Sequence, residues 1–370
     1  MGNTLIAVAV LLVLLAGALF VFWHLIYRQL WRRALQVRFS FQKHAIYAGE
    51  ETELSEEIEN EKKLPVSGVE IGFRVPKGLV HADGSSEIKV AISKDMLGEA
   101  GQDKLVRTHR IRGTRRGQYE IGPYFCRSLS KAQMFFFEKE PAATDRIYVY
   151  AARTDVTDIV NAVDEVTGEA ENQRALYQNP FAFAGVSGYR KGSTASMDFD
   201  AIAANSRVMV GSYNSILNTQ FQIFLDVDDQ GSVRETALVE ESVSIAASLA
   251  CRFMMEGTKT GLLINAISEK TGHSMIFDPG TGSRKLIDIE RALTHDFSTM
   301  KTTDFVGLTM HLDMNQVPVF ISKNMTQSQA NDLAANLGTG RVGLLVIPIR
   351  SGQSGSVRST GGLTVMYRIV

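Results

Sequence analysis

Carboxylates crowd one short stretch of the chain, Asp226-Val227-Asp228-Asp229-Gln230-Gly231-Ser232, at the end of the strand-like run Gln222-Ile223-Phe224-Leu225-Asp226-Val227. Open α/β sheets place their sites outside the carboxyl ends of their strands. Hard oxygen ligands such as Asp226 and Asp228 suit Mg²⁺ or Ca²⁺ there. An acidic turn of this kind also occurs with no ion, because it solvates a loop and favours the N-terminus of the helix that follows. Both readings stay open from sequence.

Other chemistry finds no pattern. The seven histidines, His24, His44, His81, His109, His273, His295 and His311, stand at no zinc-ligand spacing from one another or from Cys126 and Cys251. The sequence has no Walker loop, no HExxH and no CxxC. In Gly185-Val186-Ser187-Gly188 the second glycine comes one position too early for a nucleophile elbow. The glycines of Gly338-Thr339-Gly340-Arg341-Val342-Gly343 match a dinucleotide pattern, but a helix precedes them and a strand follows, the reverse of what a pyrophosphate loop needs. They read as a helix stop and a turn. The expectation is a non-catalytic protein.

The acidic turn belongs to a stretch of alternating strands and helices. After the run ending at Val227, Val239, Val243, Ala246, Ala250 and Phe253 recur at helical spacing, which predicts a helix over about 234–256. Gly261 to Ala266 reads as a buried strand, 283–294 as a helix, Val317 to Ile321 as a strand and 326–337 as a helix. Thr326 is its N-cap and Gly338 its stop. Val342 to Ile349 and Leu363 to Val370 close the set. Such alternation predicts an α/β domain with a mainly parallel sheet. By contrast, about 35–151 reads as short strands with turns between them, an antiparallel β-sandwich-like domain. Leu35 to Phe41 and Val69 to Val75 alternate cleanly between apolar and polar residues. An acidic run, Glu50 to Glu61, and a basic run, Arg107 to Arg116, fall inside it. They read as solvated strand faces paired across the sheet, with a phosphate or acidic-partner patch as the alternative for the arginines. Between these regions Asp155 to Val160 reads as one or two helical turns, and Asn179 to Gly185 as an apolar loop.

The 370 residues carry 39 Lys+Arg and 40 Asp+Glu, a net charge of −1 that argues against a dedicated nucleic-acid binder. The average conceals an uneven layout. From Thr4 to Tyr27 only His24 can carry charge, and the roughly 22 residues from Leu5 to Ile26 reach about 33 Å as a helix, enough for a bilayer core. Arg28, Arg32, Arg33, Arg38 and Lys43 follow with no acid before Glu50. A signal peptide would have a basic start and a shorter apolar run. The expectation is a retained single-pass membrane helix, with the N-terminus outside and the bulk in the cytoplasm. Beyond residue 49 the remaining 34 basic residues face 40 acidic ones, a net of −6. The layout is 1–34 for helix and basic collar, 35–152 for the β-sandwich-like domain, 153–188 for a connector and 189–370 for the last domain.

Tyr189-Arg190-Lys191-Gly192, Met197-Asp198-Phe199 and Val208-Met209-Val210, followed by the strand ending at Asp226, resemble the domain of unknown function 58 family. Arg115-Arg116-Gly117-Gln118-Tyr119-Glu120-Ile121-Gly122-Pro123 is similar to another stretch of that family. The resemblance covers most of the chain. It implies a membrane-anchored protein whose last domain is von Willebrand A-like, with a protein partner of which a MoxR-type AAA+ ATPase is the leading candidate. It assigns Tyr189, Arg190, Gly192 and Phe199 to a structural or partner-contacting motif. The sequence departs from the family at Ser193, where an Asp is usual, at Phe199 for Trp, and at Ala203-Ala204 for an Ala-Arg pair. The fold's Asp-x-Ser-x-Ser metal pattern falls on Asp226-Val227-Asp228-Asp229-Gln230, without either serine. The resemblance therefore points to a divergent member, an interaction or scaffold protein, with a divalent-ion-dependent ligand-binding module as the alternative.

Overall fold

The computed structural model describes residues 2–60, 69–92, 104–128, 136–174, 178–188, 209–215, 220–229, 235–268, 272–313, 315–338 and 340–370. The chain divides into two compact units, Met1–Ala152 and Arg153–Val370.

The first unit opens with helix α1 (Gly2–Ala34). Its stretch Ile6–Trp23 is long and apolar enough to cross a membrane, and none of it is buried against the rest of the protein. At Leu35 the residue pattern changes from continuous to alternating, and strand β1 (Leu35–Phe41) begins. It points Leu35, Val37, Phe39 and Phe41 inward. Strands β2 (Ala45–Tyr47), β3 (Glu51–Asn60), β4 (Val69–Arg74), β5 (Leu79–His81) and β6 (Glu87–Ile92) follow. Then come β7 (Lys104–Gly113), β8 (Gly117–Glu120), β9 (Tyr124–Ser128), β10 (Phe136–Lys139), β11 (Ala143–Thr144) and β12 (Arg146–Tyr150). They form the sheets β11-β1-β3-β7-β5, β10-β9-β4-β6 and β2-β12-β8. Pairing is antiparallel except between β1 and β11 and between β12 and β2. The first two sheets share one core, in which the rings of Phe39 and Phe73 lie 4.7 Å apart. The Tyr124 hydroxyl, buried there, donates to the Leu35 carbonyl at 3.0 Å.

The acidic and basic runs are neighbours. In the β3–β7 register Glu51 faces Arg112, Glu53 faces Arg110, Glu56 faces Arg107 and Glu59 faces Lys104. Arg112 bonds Glu51 at 2.5 Å, and Lys104 bonds Glu57 at 2.6 Å. These pairs are exposed and contribute little individually. Glu56 is different, being 1% exposed and bonded to His109 Nε2 at 2.9 Å, with Arg107 Nε at 3.7 Å. Desolvation lowers the Arg107 pKa, against the charge of Glu56.

In the second unit α2 (Thr157–Arg174) is an 18-residue helix where the sequence predicts one or two turns. Val156, Ile159, Val160, Val163 and Val166 are buried. The stretch read as an apolar loop is strand β13 (Gln178–Gly188), antiparallel to β14 (Met209–Ser215). The chain then runs through β15 (Gln220–Leu225), α3 (Thr236–Met255), β16 (Lys259–Ile267), β17 (Ser274–Gly280) and α4 (Ser283–Ala292). It ends with β18 (Gln316–Ile321), α5 (Gln327–Leu337), β19 (Gly343–Ile349) and β20 (Leu363–Ile369). One sheet is ordered β17-β16-β15-β18-β19-β20. Only its edge strand β17 is antiparallel to its neighbour. Counted along the chain the order is 3-2-1-4-5-6, so it reverses between β15 and β18. One face is covered by α3, with Phe221 and Phe253 at 4.2 Å between ring centroids. On the other, Ala330, Leu333 and Leu337 of α5 pack with Phe224, Phe320 and Leu345.

Helix α5 starts and stops where its residues dictate. Thr326 Oγ1 accepts from the Gln329 N–H at 3.3 Å, and Gln329 Oε1 accepts from the Thr326 N–H at 3.0 Å, a capping box. Gly338, at φ 78°, closes the helix with its N–H on the Ala335 carbonyl. Thr326→Ala should therefore cost about 1 kcal/mol, read as a lowered melting temperature of the detergent-solubilised chain.

Candidate functional site

Where the sheet order reverses, β15 and β18 end level, beside a β16 that runs on to Ile267. Leu225 pairs with Ile264 of β16 and with Ile321 of β18. The next residues, Asp226, Asn265 and Ser322, are therefore side by side at the carboxyl edge. All three are buried. Ser322 Oγ donates to Asp226 Oδ2 at 2.7 Å. Asn265 Nδ2 and the Asp228 N–H donate to Oδ1 at 2.6 and 3.0 Å. Asn265 Oδ1 in turn accepts from the Val227 N–H at 2.9 Å. Burial pushes the Asp226 carboxyl pKa up, the donors from Ser322, Asp228 and Asn265 oppose this, and the nearby charge of Asp228 adds to the rise.

A second tier of contacts lies on this one. Asn324 Nδ2 donates to the Asp228 carbonyl at 2.8 Å, and the Asn324 N–H donates to Ser322 Oγ at 3.3 Å. Asp229 Oδ1 is bonded by the ammonium of Lys323 at 2.8 Å and by the Glu235 N–H at 2.8 Å. Its Oδ2 accepts from Thr236 Oγ1, the first residue of α3, at 3.2 Å. Burial alone would raise the Asp229 pKa. The Lys323 and Glu235 hydrogen bonds and the Lys323 charge outweigh it, and the carboxyl lies below its ordinary value. The Lys323 side chain is only 2% exposed.

Protein groups already occupy this edge. Both Asp226 oxygens are taken by protein donors, and the carboxylate of Asp229 already holds a cation. Among the described residues no three His, Cys, Asp or Glu side chains gather as a metal would need. The expected pair therefore separates in role. Asp226 staples three strands, and Asp228 contributes its backbone N–H and carbonyl to the same network. Gln230 lies outside the described residues, as do Tyr189, Arg190, Gly192 and Phe199 of the proposed motif.

Asn265, Ser322, Lys323 and Asn324 were not anticipated. For Ser322, Lys323 and Asn324 the signal is positional, since they come at or just after the point where an apolar strand run turns polar, as Asp226 does, whereas Asn265 is a polar residue inside the apolar strand Leu262 to Ile267. A separate cavity of about 360 Å³ in the second unit is lined by Arg153, Val160, Cys251, Met255 and Glu256 among others. Arg153 Nη1 donates to the Ala247 carbonyl at 2.7 Å, and its guanidinium also bonds the buried Glu290. Cys251 is a free thiol.

No family model and no curated protein matches the chain. Solved structures give partial likenesses. The CARDB domain of the PF1109 protein from Pyrococcus furiosus, in complex with di-metal ions, is 13% identical over 31% of this chain and 91% of its own, with a TM-score of 0.20. A non-cellulosomal cohesin from Archaeoglobus fulgidus is 13% identical over 34% of this chain and 97% of its own, with a TM-score of 0.22. The bacterial hydrophobin BslA is 12% identical over 33% and 97%, with a TM-score of 0.20. At such scores none of the three places this chain in its fold or assigns it a role.

Proposed function

We propose that this chain is a membrane-anchored, non-catalytic interaction protein, a divergent relative of the domain of unknown function 58 family whose second unit is von Willebrand A-like. The observation that carries the anchor is the bare stretch Ile6–Trp23, whose apolar side chains find no cover within the protein and need an apolar solvent. The basic residues after it, with no acid before Glu50, favour both units on the cytoplasmic side. The open doubly wound sheet, with its acidic loop after the first strand, supports the von Willebrand A-like reading. At its carboxyl edge the polar side chains satisfy one another, as a scaffold needs. The partner is a protein, with a MoxR-type AAA+ ATPase as the leading candidate. Crosslinking in membranes followed by capture of the full chain should recover that ATPase reproducibly; recovery of no protein partner would refute the reading. In spheroplasts both units should resist external protease, and their cleavage would reverse the orientation.

A further inference from the structure

We propose that the Lys323 ammonium is a built-in cation at the strand-order reversal, taking the electrostatic place of a divalent ion and making this edge of the sheet metal-independent. The inference rests on the local geometry alone, so it stands or falls apart from the proposed anchor and partner. The carboxyl edge at a reversal is where an open sheet offers a crevice. Here three aspartates converge within four residues, Asp226, Asp228 and Asp229. Negative charge so concentrated in a partly buried loop needs a counter-charge.

The structure supplies it from the facing loop. β18 ends at Ile321, and the next two residues divide the task. Ser322 turns inward and neutralises the demand of Asp226 with a hydroxyl donor. Lys323 places its ammonium 2.8 Å from Asp229 Oδ1 and 3.4 Å from Asn324 Oδ1. A lysine side chain that is 2% exposed is rare unless paired. The two oxygens it meets are of the kind a hard cation would collect, but it brings one charge rather than two. Asp229 in turn accepts from Glu235 and Thr236, so the pair also fixes the start of α3. Lys323 thus joins the loop after β18 to the loop after β15, the two sides of the crevice. A metal-dependent crevice can be emptied by chelation, whereas this one keeps its cation on the chain.

The test uses the full chain in detergent micelles and thermal unfolding followed by circular dichroism. Wild-type protein should melt at the same temperature in EDTA and in millimolar Mg²⁺, Mn²⁺ or Ca²⁺. Lys323→Met should lower the melting temperature by more than about 5 °C, because it leaves Asp229 without its counter-ion. Asp229→Asn is the milder partner, and the double variant should lose clearly less than the sum of the two single losses. If Lys323→Met does not fold, Asp229→Asn and the metal titration of wild type decide. A metal-dependent rise in the wild-type melting temperature that Asp226→Ala abolishes would overturn the proposal. So would strictly additive losses, or an Asp229→Asn variant as stable as wild type.

Discussion

Asp226→Ala is expected to destabilise the second unit by about 2–4 kcal/mol, whereas Asp226→Asn should stay within about 1 kcal/mol of wild type near neutral pH. The contrast follows from counting donors. Alanine leaves the Asn265 amide, the Ser322 hydroxyl and the Asp228 N–H without their shared acceptor in a buried place. Asparagine keeps an oxygen for the first and last of these, and the Ser322 hydroxyl can rotate to accept from the new amide. It also removes a charge that burial disfavours. The sign of the pH dependence is fixed by the raised pKa of Asp226. A carboxyl raised above its unfolded value of about 3.9 contributes stability that is fully present below that value and lost as pH rises through the folded pKa. Asp226→Asn should therefore gain on wild type as pH rises across that window. Asp229 has the opposite sign, because its lowered pKa gives stability present above the unfolded value and lost as pH falls through the folded one. Both tryptophans precede Leu35, so denaturation is best followed by circular dichroism. Equal losses for Ala and Asn would mean that the charge itself, rather than the acceptor geometry, holds the strands.

What could be read in advance depended on how local the determinant was. Strand β1 and helix α3 were legible because each carries an unbroken period on one face. Strand β7 was legible as a basic strand face set against the acidic run of β3, but its buried contact was not, because the inward Arg107 and His109 answer Glu56 rather than an apolar neighbour. Helix α2 was underestimated because its buried residues are valine and isoleucine, β-branched types whose helicity comes from docking rather than propensity. Edge strand β17 contains Pro279 and is half-exposed, so it shows no alternation. At the candidate site Asp226 stood out from its neighbours in sequence. Its partners did not, because Asn265 is 39 positions away and Ser322 is 96. Only the parallel register of three strands brings them level.

The largest effect is expected from the proposed anchor. Two arginines at the middle of the apolar stretch, Leu14→Arg with Leu15→Arg, should move the chain from the carbonate-resistant membrane fraction to the supernatant. The stretch Ile6–Trp23 contains twelve Leu, Ile, Phe or Val residues and no charge. At about 0.3–0.6 kcal/mol each they favour insertion by roughly 4–7 kcal/mol. Each central arginine costs about 2.5–3.5 kcal/mol in addition to the lost leucine, so two of them offset the whole gain. The same substitutions should leave the β-sandwich-like unit intact, since Ile6–Trp23, which holds both positions, is not buried against the rest of the protein. The mass of the wild-type chain separates an anchor from an export signal. An intact chain in the carbonate pellet means that the helix is retained. A chain shortened by the apolar stretch would place both units across the membrane, where Cys126 and Cys251 would meet an oxidising solvent, and would refute the anchor together with the cytoplasmic partner.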